Sequence, residues 1–163
     1  MTPPSGGGWG PVWVSAVSCS VVALTGGLLT PIDAWYKGLK KPSWQPPDWL
    51  FGPAWTVIFI GIGTSAVQGW THAPTPWLQT LLIILFALNG ALNVAWSFLF
   101  FYRRRPDWAL REVVALWLSI LLLILVVGAV SPLGALLLLP YLAWVGFAAY
   151  LNRTIVRLNG SFA

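Results

Sequence analysis

Chemistry in this chain must be sought among very few residues. The 163-residue sequence contains one His (His72), one Cys (Cys19), one Glu (Glu112) and three Asp. That inventory excludes an intrachain disulfide and a Cys-based metal cluster, and it leaves little for acid–base catalysis, so no metal site is expected. What the chain has in excess is indole, with twelve tryptophans. Within its uncharged stretches, polar and aromatic groups recur at helical spacing. Asn89, Asn93 and Trp96 stand at i, i+4, i+7 and share one helical face. Amides are costly in hydrocarbon, so this face turns towards the bundle interior, where it bonds neighbouring helices or lines a ligand pocket with about equal weight. Tyr141, Trp144, Ala148 and Leu151 form a second stripe, in which the small Ala148 leaves a gap between large neighbours. With Trp55 and Trp108 opening other spans, this stripe reads as one wall of an aromatic pocket.

The elements that hold these residues follow from charge. Only 8% of residues are charged, against about 25% in an average soluble domain. All thirteen fall within 33–48, 103–112 and 153–157, leaving uncharged stretches of 32, 54 and 40 residues. A membrane-spanning helix needs roughly 20 apolar residues, so the stretches hold one, two and two spans. The expected fold is an all-α membrane protein, a single domain (1–163) forming a five-transmembrane-helix bundle with spans at about 12–29, 47–69, 78–101, 108–130 and 133–156. The segment Met1–Pro11 carries no Lys or Arg and reads as a Pro- and Gly-rich flexible leader. The connection from Thr30 to Pro46 is long for a compact bundle and has the size of a functional lid. Pro46 and Pro47 suit a first helical turn, and Pro140 is expected to kink or loosen the fifth span.

Lys and Arg are distributed nine to zero between alternate connections. Lys37, Lys40 and Lys41, then Arg103, Arg104, Arg105 and Arg111, then Arg153 and Arg157 all fall on one side. The positive-inside rule places the N-terminus outside and the C-terminus in the cytosol. The net charge of +5 thus belongs to membrane topology rather than to nucleic-acid binding. Two small-residue stripes complete the pattern. Gly61, Ser65 and Gly69 suit packing within the bundle, whereas Ala87, Ala91 and Ala95 lie about 200° round their helix from the asparagines and suit contact with a second protomer. No internal repeat is visible, which argues against an inverted-repeat transporter.

The motif Trp35-Tyr36-x4-Lys41-Pro42-Ser43-Trp44-Gln45-Pro46-Pro47-x-Trp49, with Pro53-x-Trp55, resembles the TspO/translocator protein family of tryptophan-rich sensory proteins. The likeness continues through Ala91-Leu92-Asn93-x2-Trp96 and Trp108-Ala109-Leu110, and closes with Pro140-Tyr141-Leu142-Ala143-Trp144-x2-Phe147-Ala148-x2-Leu151-Asn152. The resemblance implies a five-helix bundle, usually dimeric. Its pocket opens towards the first loop and binds porphyrins (protoporphyrin IX or haem), and in some members sterols or benzodiazepine-site ligands. No obligatory cofactor is implied. By motif, the ligand contacts fall on Phe51, Gly52, Ala54 and Trp55 of the second span and on Trp108 and Ala115 of the fourth. On the fifth span they fall on Trp144, Ala148 and Leu151. Relatives that degrade porphyrin use tryptophans matching Trp55 and Trp144, which makes these two the candidate catalytic residues. The animal members' sterol motif places a Tyr where this chain has Arg153 and Thr154 after Leu151-Asn152.

The expected function is therefore a porphyrin-binding sensor or regulator embedded in lipid, with Lys37, Lys40 and Lys41 pairing with ligand propionates at the mouth. A carrier of porphyrins or lipids and a light-dependent porphyrin-degrading enzyme are the alternatives. The location expected is a bacterial cell membrane, with a bacterial or mitochondrial outer membrane as the alternative.

Overall fold

A computed structural model describes residues 8–162, and every regular element among them is helical. Residues 1–7 of the expected leader lie outside that range. The helices are α1 (Gly10–Leu28), α2 (Ala34–Gly38), α3 (Asp48–His72), α4 (Pro76–Ser97), α5 (Pro106–Gly128) and α6 (Pro132–Asn159). A π-helical turn, Phe98–Tyr102, extends α4. Five of these helices are long and apolar enough to cross a membrane. Their boundaries lie within a few residues of those expected, and α2 and the π turn are additional to the expected elements.

Local chemistry explains the helix starts. Pro76, Pro106 and Pro132 occupy first-turn positions, where the missing N–H has no intrahelical partner to lose. Thr75 and Ser131 cap α4 and α6 by accepting the N–H groups of Leu78 and Gly134. Pro47 precedes α3 as its cap rather than forming its first turn. α6 runs as one helix from Pro132 to Asn159 with Pro140, the residue expected to kink or loosen it, inside. Neighbouring helices can support a proline of this kind in a membrane.

The spanning helices form a ring in the order α1, α3, α6, α5, α4. The tightest part is the back of the ring, where α5 and α6 pack together and against α3 and α4. Ile120, Leu123, Val127 and Leu138 have no solvent exposure there. Small residues allow that approach. A Cβ added to Gly61 would lie 2.9 Å from the Leu137 carbonyl oxygen, and Ser65 donates its hydroxyl to the Gly134 carbonyl at 2.8 Å. The stripe Gly61–Ser65–Gly69 thus packs inside the bundle, as expected.

Outside, the ring presents Val57, Ile84, Leu118, Leu125, Leu136 and others, all more than half exposed in the isolated chain or close to it. Apolar surface on that scale, all round a bundle, requires lipid rather than water. The protein is an integral, multi-pass membrane protein.

The charged connections gather at one end. Asp33 of the first loop pairs with Arg104 at 3.1 Å. Lys40 of the same loop exchanges two backbone hydrogen bonds with the Asn159 side chain, at 2.9 and 2.8 Å. Arg104 makes its contact from a left-handed backbone conformation (φ 54°), the only non-glycine residue in that region among those described.

Candidate functional site

α1 differs from the other spanning helices because none of its residues is buried. Its inward face is built from small and hydroxyl-bearing side chains, which cannot fill the space beside α3, α4 and α6. The consequence is a cavity of about 930 Å³ between α1, α3, the C-terminal part of α4 and the second half of α6, roofed by Ile32 and Tyr36 of the first loop. Pockets for drug-sized ligands span about 300–1,000 Å³, so this one admits a large planar molecule.

The aromatic wall comes from three elements. Trp55 of α3 meets Trp144 of α6 edge-to-face, with centroids 6.4 Å apart, and Phe51 meets Trp144 at 5.7 Å. Trp96 stacks on Phe100 at 5.2 Å. The π turn widens the backbone by one residue, so that the consecutive Phe100 and Phe101 are both buried, with ring centroids 4.7 Å apart. Single π turns of this kind concentrate at functional sites.

Behind the wall lies a chain of hydrogen bonds. Asn93 donates to the Tyr141 hydroxyl (3.0 Å), which donates to Asn89 (3.1 Å), and Asn89 donates to Ser119 on α5 (2.9 Å). Trp96 donates its indole N–H to Asn152 (3.2 Å), whose amide donates to the Pro106 carbonyl (2.9 Å). Both readings of the asparagine face therefore hold in part. The amides bond other helices, while Asn93 and Trp96 also border the cavity.

Eight of the residues expected at the pocket come together around it: Phe51, Gly52, Trp55, Asn93, Trp96, Trp144, Ala148 and Leu151. Others do not. Tyr141 is buried behind Trp55, with ring centroids 6.3 Å apart, and Ala54 is half-buried outside the lining. Trp108 and Ala115 face outwards because α5 turns the stripe Ala109–Val113–Leu116–Ile120 to the core, which puts residues 108 and 115 on its other side. Trp108 instead carries the Arg105 guanidinium over its ring, 4.4 Å from the centroid. None of Lys37, Lys40 and Lys41 lines the cavity. Lys41 donates to the Tyr36 carbonyl at 2.6 Å and lies over the Tyr36 ring, which fixes it to the loop.

The lining also includes residues that sequence reasoning missed, among them Cys19 and the α1 face Ala16, Ser20, Ala23 and Gly27. Their spacing of four, three and four was legible as one helical face. Tyr36 and Asp48 complete the loop end. Burial, reinforced by the Asp48 carboxylate, holds the Tyr36 hydroxyl above the usual phenol range.

A family model described as the TspO/MBR family matches residues 15–158. The chain belongs to the TspO/MBR family. Among TspO/MBR relatives, the tryptophan-rich protein TspO of Chlorobaculum tepidum is 43% identical over 146 residues, covering 86% of this chain and 90% of that protein. The translocator protein of Sus scrofa is 36% identical over 156 residues, covering 91% and 92%. Protein CrtK of Rhodobacter capsulatus is 36% identical over 143 residues, covering 88% and 89%.

Proposed function

We propose that this protein binds a flat tetrapyrrole within the membrane and acts as a sensor or regulator of it. The supporting observation is the cavity itself, in which Phe51, Trp55, Trp96 and Trp144 offer ring faces and edges at a size suited to a macrocycle. Stacking on indoles gains dispersion and apolar burial at little conformational cost, because each side chain has only two torsions to fix. The lining contains neither His nor Met among the described residues, and although Cys19 and Tyr36 border it, the proposed binding rests on stacking of the macrocycle rather than on axial ligation. Titrating protoporphyrin IX and haem against tryptophan fluorescence tests this reading. Comparable quenching by both supports it, and a hundredfold preference for haem opposes it.

A second reading is light-dependent degradation of the bound porphyrin. The edge-to-face contact of Trp55 and Trp144 inside the cavity favours it. Illumination of the purified complex, with Trp144→Phe as control, decides it: porphyrin loss that survives the substitution removes Trp144 from the chemistry.

In this proposal the charged end of the bundle faces the cytosol of a bacterial cell, with the N-terminus outside. A second protomer packs on α4, where Ala87 and Ala91 are exposed and Ala91 and Ala95 border a shallow apolar groove beside α1. Ala91→Trp should then shift the species in detergent from dimer to monomer.

A further inference from the structure

The hydrogen-bonding character of the cavity identifies which ligands it accepts. Most hydroxyls around it have already used their protons. Ser15 donates to the Gly63 carbonyl, Ser20, Thr56 and Thr64 each donate to the carbonyl one turn back on their own helix, and Thr30, just past α1, donates to the Gly26 carbonyl, at 2.6–2.9 Å. Trp96 and Asn152 donate to other helices, as does one amide N–H of Asn93. The neutral donors left uncommitted are the indole N–H groups of Trp9, Trp55 and Trp144 and the hydroxyls of Ser97 and Tyr36, and none of them carries a charge.

Charge points the same way. No Lys or Arg lines the cavity, whereas Asp48 does. It is the first residue of α3 and stands at the loop end beside Tyr36. A carboxylate accepts hydrogen bonds and cannot donate them, so an ionised ligand carboxylate would exchange its hydration here for a few neutral donors and no cation. It would also meet a like charge at the mouth.

We propose that the cavity selects planar apolar ligands whose buried edge carries no ionised carboxylate, and that Asp48 is the residue enforcing the selection. Neutral or donor-bearing tetrapyrroles are accepted over their dicarboxylate forms. The inference rests on the tetrapyrrole reading above.

The test is quenching of tryptophan fluorescence in the full-length protein by protoporphyrin IX and by its dimethyl ester. The ester is expected to bind about tenfold more tightly, the size of one poorly replaced carboxylate hydrogen bond. Asp48→Asn should narrow that ratio by about threefold, as befits a partly solvated charge pair. Raising salt on the unmodified protein should narrow it too, which provides a reading independent of any substitution. Equal affinities, or a tighter free acid, overturn the selection. A ratio unmoved by both Asp48→Asn and salt removes Asp48 from it. Failure of both porphyrins to quench overturns the tetrapyrrole reading itself, and is thereby distinguished from the other two results.

Discussion

The front and the back of the bundle use the same apolar alphabet to opposite ends. At the back, α5 and α6 bring Ile120, Leu123 and Leu138 into complete burial, and glycines let the helices close up, Gly61 against the Leu137 carbonyl and Gly134 against the Val127 side chain. At the front, α1 buries nothing and leaves about 930 Å³ beside it. In lipid the hydrophobic effect does not press helices together, so close packing arises only where shapes interlock or polar groups bond. The back has both. α1 has few such contacts, chiefly Ser15 on Gly63 and the approach of Val22 to Gly90. A membrane bundle can thus divide its labour: one half holds the fold and the other keeps a void.

That division can be broken most severely from behind. Gly61→Val places side-chain atoms against the Leu137 carbonyl and should destabilise the bundle by about 1–3 kcal/mol, read as a fall in the detergent unfolding midpoint. A front substitution should leave stability nearly intact and remove binding instead. Ala148→Phe fills the cavity beside Trp144, and an affinity loss of at least about tenfold with little change in unfolding is expected from porphyrin titration. If that variant unfolds as readily as Gly61→Val, the division fails.

A third variant probes the seam. Tyr141→Phe strips the hydroxyl that joins Asn93 to Asn89, leaving both amides short of a partner. Interhelical hydrogen bonds in membranes contribute about 0.6–1.7 kcal/mol, so a loss near 1 kcal/mol is expected with a smaller change in binding.

The smallest effect concerns the roof. The Tyr36 amide and then the Arg104 guanidinium hold the Asp33 carboxyl below the usual range. A depressed folded pKa means that the contribution is complete above the unfolded value and is lost as pH falls through the folded one. Hydrogen exchange over 34–38, corrected for its intrinsic pH dependence, should therefore speed up below about pH 4, where ordinary Asp carboxyls titrate. Asp33→Asn should remove that dependence.

Much of this architecture was legible from the chain. Spacing of charge gave the number of spans, because an ionised group cannot be left in hydrocarbon and each uncharged run has to be crossed in whole helices. Helical spacing also put Trp144, Ala148 and Leu151 on one face, and these three do border the cavity. Trp108 and Ala115 show where such reasoning ends. Their motif and spacing were sound, yet α5 is rotated so that Ala109 and Val113 face the core.

What the sequence determined by itself was thus the lipid-embedded helical class, the five spans, the clustering of charge at one end and the faces on which polar and small residues fall. Each of these depends on the solvation of single residues and on the 3.6-residue turn, which are local properties. Only the tertiary structure decided the ring order, the burial of two consecutive phenylalanines by a π turn, the capture of Lys41 by Tyr36 and a cavity lining that takes in Asp48 but no Lys or Arg. These depend on how far each helix is turned about its own axis against its neighbours. That rotation is set by contacts between residues distant in the chain, so no local pattern encodes it.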